Sequence, residues 1–97
     1  MNIVVATKKS GEDIVLESID SNYDNLKDII QGYLEVVHID NELIFLCDEE
    51  GKLKNKPVNF IYNNDMIVGN VIFVRVKNGE FESITKTQFE KICTMFK

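Results

Sequence analysis

Two spacings divide this chain, alternation every second residue and recurrence every three to four. Asn2-Ile3-Val4-Val5-Ala6 is a β-branched run closed by the turn-prone Lys8-Lys9-Ser10-Gly11, and Asp13-Ile14-Val15-Leu16-Glu17-Ser18-Ile19 follows it. Together they predict an opening β-hairpin. Asp20 and Ser21 offer capping oxygens for a helix over about residues 21–31, whose Tyr23, Leu26, Ile29 and Ile30 share one face. Gly32 is its natural stop. After Gly32 the alternation returns. Tyr33-Leu34-Glu35-Val36-Val37-His38-Ile39 and Leu43-Ile44-Phe45-Leu46-Cys47 flank a tight turn at Asp40-Asn41-Glu42, a second hairpin.

Residues 48–59 are the longest polar stretch, hold the single proline, Pro57, and read as an ordered surface loop with room for one helical turn. Met66–Val76 then reads as one long strand, and its unbroken apolar character predicts burial on both faces. Asn78-Gly79 predicts the next hairpin turn, with residues 80–84 returning. Thr85 and Gln88 have capping-box spacing before a last helix over about residues 86–96. Its Phe89, Ile92, Cys93 and Phe96 make the buried face. The order β-β-α-β-β-β-β-α, without βαβ alternation, predicts one α+β domain over residues 1–97. It is a mostly antiparallel sheet of hairpins with two helices packed on it.

Composition narrows the function more than the fold. Ninety-seven residues, 44% hydrophobic, suffice for one core and no more. Eleven cations against 16 anions give a net charge of −5. Binding to a nucleic acid duplex or an anionic membrane surface selects the opposite excess, so neither is an expected partner. No run approaches the ~20 apolar residues that cross a bilayer. Cys47 and Cys93 both sit in apolar runs and read as packed, reduced thiols. With no signal-like start, the expected compartment is the cytoplasm.

Candidate chemistry is sparse. His38, the single histidine, stands beside Leu34 and Val36 with no nucleophile near it in sequence and reads as a partly buried strand histidine. Neither cysteine has a cationic neighbour to stabilise a thiolate. Asp48-Glu49-Glu50 lacks the spacing of a calcium loop and reads as a solvated turn ending in Gly51, and no Cys/His pair has zinc spacing. Asp20, Asp24 and Asp28 line one side of the first helix, interrupted by Lys27. At about 6 Å apart they are too sparse to imitate duplex phosphates, which lie about 1.7 Å apart along the axis. The expectation is a protein that is not an enzyme, with no cofactor and no metal.

The cations are unevenly spread. Lys8 and Lys9 sit in the first turn, and Lys52, Lys54 and Lys56 punctuate the long loop beside Asn55 and Asn59. Ammonium groups, loop N–H groups and amides together suit a small anion such as a nucleotide phosphate, provided the two loops meet.

The blocks Gly32-Tyr33-Leu34-Glu35-Val36-Val37, Cys47-Asp48-Glu49-Glu50-Gly51-Lys52-Leu53-Lys54, Lys56-Pro57-Val58-Asn59 and Asp65-Met66-Ile67-Val68-Gly69-Asn70-Val71-Ile72-Phe73-Val74 extend a likeness over nearly the whole chain. With Ser83-Ile84-Thr85-Lys86-Thr87-Gln88 before the last helix, the sequence resembles the domain-of-unknown-function family three-eight-four-six, small proteins encoded by bacterial viruses and plasmids. The resemblance implies a mobile-element accessory protein in a bacterial host cytoplasm and brings no enzyme activity. Matched to it, Tyr33, Glu35, Glu50, Gly51, Asn59 and Asp65 are the polar or glycine positions of interest. Gly51 and Gly69 read as a turn and a close backbone approach. One departure stands out: where the family often has a basic residue after the loop asparagine, this chain has Phe60.

The first expectation is therefore a binder that sequesters a small anionic ligand, such as a nucleotide immune signal, through Lys8, Lys9, Tyr33, Glu35, Glu50, Lys52, Lys54, Lys56 and Asn59. The alternative is an acidic protein-interaction module that inhibits a host or phage protein through its surface or a sheet edge. A nucleotide hydrolase would have only His38 and scattered carboxylates to work with. Open sheet edges also make a homo-oligomer an expected assembly.

Overall fold

The structure, a computed structural model, describes residues 1–96. Its elements are β1 (Asn2–Lys8), β2 (Val15–Asp20), α1 (Tyr23–Ile30), β3 (Leu34–His38), β4 (Leu43–Asp48), β5 (Val58–Tyr62), β6 (Asp65–Val68), β7 (Val71–Lys77), β8 (Glu80–Glu82) and α2 (Lys86–Met95). Five strands form an antiparallel sheet in the order β2-β1-β7-β4-β3, and β8 joins it by pairing with the end of β7. The predicted α+β class, hairpins and two packed helices are all present.

Alternation along the central strands builds two cores. Every residue of β4 is buried, as are Val71 to Val74 of β7. Ile44, Leu46, Ile72 and Val74 point to the face that Leu26 and Ile30 of α1 cover. Phe45, Cys47, Val71 and Phe73 point to the other face, where Ile92 and Phe96 and the β5–β6 hairpin meet them. The two helices thus cover opposite faces. Local chemistry ties the ends as the sequence indicates. Asn78 and Gly79 have φ of 53° and 77°, the two left-handed residues of a tight hairpin turn. Thr85 and Gln88 form the capping box of α2.

The long strand expected over Met66–Val76 is two strands. Gly69 adopts φ +78°, a conformation that a strand cannot continue through, and its N–H donates to Pro57 O at 2.8 Å. The segment before it leaves the main sheet and pairs with β5 as a separate two-stranded sheet. Strand β5 itself falls partly in the expected polar loop. Phe60 explains why it forms. It is a core residue, with its ring centroid 4.8 Å from that of Phe96 and 6.0 Å from that of Phe73. Phe60 is thus an aromatic anchor in the core.

Helix α1 is shorter than its sequence pattern. Its cap is Asn22, which accepts from Asn25 N–H, rather than Asp20 or Ser21. Asp20 instead accepts the N–H of Asn22, which holds its carboxyl below the usual range. At the other end Gln31 takes the left-handed conformation, one residue before Gly32.

Candidate functional site

Helix α1 is two turns long, and its last carbonyls have no intrahelical donors. Loop lysines satisfy them. Lys56 Nζ donates to Ile30 O at 3.0 Å and Gln31 O at 2.9 Å, and Lys54 Nζ donates to Gln31 O at 3.3 Å. Cations at a helix C-terminus also meet the negative end of its dipole. Both ammonium groups converge on Asp48 Oδ2, at 2.8 Å from Lys54 and 2.7 Å from Lys56. The Asp48 side chain is 1% exposed, and its Oδ1 accepts Glu50 N–H at 2.9 Å. Burial pushes its carboxyl up, but the two ammonium groups and the N–H outweigh that and hold it down at about 2. Asp48 is therefore no part of a solvated turn; Glu49 and Glu50, beside it, are exposed.

Glycines clear the space for this cluster. A Cβ at Gly32 would collide with the Asp48 carboxylate, and one at Gly69 would lie 2.9 Å from Lys56 Cδ. Both positions are tighter than ordinary van der Waals contact. The close approach expected at Gly69 is thus an approach to a lysine stem.

The two lysine-bearing loops do meet. Lys8 is buried and its Nζ donates to Asn59 Oδ1 at 2.8 Å, while Asn59 Nδ2 donates to Lys8 O at 2.8 Å and Gly69 O at 2.7 Å. Ser10 Oγ donates to Val58 O at 2.6 Å. The ammonium groups, however, go to three separate places. Lys8 and the exposed Lys9 line a hollow of about 280 Å³ with Gln31 and Asn70, and its walls also carry Glu17 and Asp28. Lys54 and Lys56 are at Asp48. Lys52 pairs with Asp65, and the two share a hollow of about 190 Å³ with Glu35, Glu49, Leu53 and Met66. Among the described residues these hollows divide the five cations and do not gather them.

Tyr33 points elsewhere again, and to a residue the sequence pattern left as an interruption. Lys27 Nζ lies 4.9 Å from the Tyr33 ring centroid and 5.2 Å from that of Tyr23. These are cation–π distances. Both rings are more than half exposed, so Tyr23 belongs to the open side of α1 and not to its apolar face. The available signal was the four-residue spacing of Tyr23 and Lys27, which places them together on a helix. Helix α1 is therefore flanked by two half-exposed aromatic rings that share the Lys27 ammonium, and past its C-terminus two further ammonium groups share one carboxylate. Asp28 and Glu49, the nearest other carboxylates in sequence to Lys27 and Asp48, line the two hollows instead.

The remaining candidates are quiet. Burial pushes the Cys47 thiol up to about 12, helped by the carboxylates of Glu35, Asp48 and Asp65, so it stays protonated. Cys93 is half-buried. His38 is exposed on edge strand β3, not partly buried, because its strand has no neighbour beyond it. Its carbonyl accepts from Tyr62 OH at 3.4 Å. Among the described residues no group of three or more His, Cys, Asp or Glu is placed to hold a metal ion, and no helix is long and apolar enough to cross a membrane.

No curated protein and no solved structure matches this chain. The family model described as Domain of unknown function (DUF3846) matches residues 1–97, the whole of the sequence. The chain belongs to that family.

Proposed function

We propose that this protein binds a small anionic ligand bearing a planar ring, a nucleotide, at the end of α1 and sequesters it unchanged. The observation that carries the proposal is the Lys27 ammonium held over the two exposed rings of Tyr23 and Tyr33. A base has a π-face for a tyrosine, and such stacking contributes about 1–3 kcal/mol per base. A phosphate beside it meets the ammonium of Lys27 and the half-exposed Lys54. The catalytic inventory supports binding without turnover, since the Cys47 thiol stays protonated and His38 stands alone on an edge strand. Combined with the virus and plasmid origin implied by the resemblance, the proposed role is counter-defence: removal of a nucleotide immune signal in a bacterial cytoplasm.

Isothermal titration against linear and cyclic nucleotides tests this. Binding should weaken at least tenfold in Tyr33→Ala and in Lys27→Ala and persist in Lys86→Ala. Recovered nucleotide should have unaltered mass. No heat from any nucleotide, or equal binding by all three variants, would refute the proposal.

A second proposal, the acidic protein-interaction module, draws on the edges. Strands β2 and β3 each pair on one side only and expose Val15, Leu16 and Val36. An open edge can accept a strand from a partner. A host protein retained by the wild type and released by Val36→Lys would favour it over the nucleotide reading.

A further inference from the structure

Among the described residues the fold buries two charged ones, Asp48 and Lys8, and answers them differently. Asp48 has two ammonium counter-ions. Lys8 is 7% exposed, and its ammonium has one acceptor, the neutral amide oxygen of Asn59 at 2.8 Å. Among the described residues it pairs with no carboxylate. Taking a cation out of water is costly unless it is paired and its N–H groups are satisfied. An ammonium has three donors, so here two N–H groups and the charge itself are left unanswered. Asn59 is fixed in place as the one acceptor, because its Nδ2 donates to Lys8 O and Gly69 O.

Alternation along β1 sends the Lys8 side chain to the face of Ala6, opposite Val71, and both of these belong to the core beneath α2. Lys8 lines a hollow of about 650 Å³ with Gly11, Glu12, Asp13, Ile14 and Cys93 of α2. That volume lies within the roughly 300–1,000 Å³ of small-ligand sites. Its walls are of three kinds. Lys8 is the buried cation. Ile14, packed against the core, and the half-buried Cys93 make an apolar side. Glu12 and Asp13 are exposed carboxylates. A phosphate dianion would answer Lys8 but be repelled by those two carboxylates and by a chain of net charge −5. A molecule carrying one charge of each sign meets both walls.

We infer that the hollow between the first turn and α2 binds a small zwitterion of the amino-acid class. Its carboxylate accepts from Lys8 Nζ, its ammonium faces Glu12 and Asp13, and its apolar side chain lies against Ile14 and Cys93. The carboxylate supplies the counter-charge that Lys8 lacks, in a charge-assisted bond. The ligand is neutral overall, so the acidic chain does not oppose its approach. The site shares no residue with the Tyr23, Lys27 and Tyr33 group and is independent of the nucleotide proposal.

Amide NMR titration of the full chain with L-leucine reads the result. Leucine at millimolar concentration should shift the signals of Gly11, Glu12, Asp13, Ile14 and Cys93. Leucinamide, which lacks the carboxylate, and N-acetylleucine, which lacks the ammonium, should each bind roughly tenfold more weakly, since each loses one charge-assisted contact. Inorganic phosphate should leave these signals in place. Lys8→Met keeps an apolar stem in the buried position and should abolish the leucine shifts. Iodoacetamide labelling of Cys93 supplies a second readout. Leucine should slow it in the wild type and not in Lys8→Met, while equal rates without leucine show that the variant keeps the hollow. No leucine shift at these amides together with no protection of Cys93 overturns the inference, as does leucine binding undiminished in Lys8→Met. Leucinamide or N-acetylleucine binding as tightly as leucine refutes the zwitterion assignment.

Discussion

Replacing Asp48 by Asn keeps the shape of the side chain and its acceptor for Glu50 N–H but removes the charge that two lysines share. Breaking a fully buried ion pair by deleting one partner costs about 3–5 kcal/mol, because the other charge is left without compensation. Here the surviving cations are not fully buried. Lys54 is 41% and Lys56 16% exposed, and Lys56 keeps its bonds to the Ile30 and Gln31 carbonyls. Discounted for that water, the expected loss at pH 7 is about 2 kcal/mol, a fall of roughly 10 °C in Tm for a domain of this size. The pH dependence supplies a second check. The folded carboxyl lies at about 2, below its ordinary 3.8. Its contribution is then complete above 3.8 and fades as pH falls through about 2. Urea melts of wild type and Asp48→Asn should differ most near neutrality and converge on acidification toward that value. A penalty under about 0.5 kcal/mol at pH 7 would place the variant among ordinary surface changes and refute the cluster's structural role. A penalty constant into strong acid would refute its electrostatic origin.

Gly32→Ala should destabilise by about 1–3 kcal/mol through overpacking against the pinned Asp48 carboxylate. The cost should shrink in an Asp48→Ala background, and an undiminished cost in urea titration would assign it to another contact. Alkylation at pH 8 followed by mass spectrometry should modify Cys93 and spare Cys47 until the protein unfolds, since a thiol raised to about 12 is almost wholly protonated there. Equal labelling rates would contradict the burial of Cys47.

The parts of this fold legible in sequence are those that neighbouring residues determine. Asn78-Gly79 sets its own turn, Thr85 and Gln88 cap each other, and the apolar runs at 43–47 and 71–74 require cover on both faces. What was not legible depended on distant partners. Ile67-Val68 and Val71-Ile72 read as one strand, and the break between them follows from Gly69 donating to Pro57 and from Phe60 packing on Phe96 over one face of the main sheet. The polar loop fared similarly. Its alternating lysines have no secondary-structure period linking them to Asp48, and their other acceptors are helix carbonyls more than twenty residues earlier. Loop contact through Lys8 and Asn59 was anticipated only as a condition. The condition is met, but by an amide bridge and not by a shared cavity.

An ammonium group has three N–H donors, and counting their acceptors sorts the lysines at the end of α1. Lys56 meets three oxygens, those of Ile30, Gln31 and Asp48, and has no donor left for a ligand. Lys54 meets two and retains one. Lys27 rests on ring faces, which attract its charge without consuming a directional N–H bond in the way an oxygen does. Sequence position ranked these residues in the reverse order, because loop lysines resemble ligand donors and a lysine within an acidic helix resembles an interruption. The carboxylate count reverses the ranking. Where a buried aspartate has already claimed the loop cations, the charge available to an incoming anion is the one left beside the tyrosines.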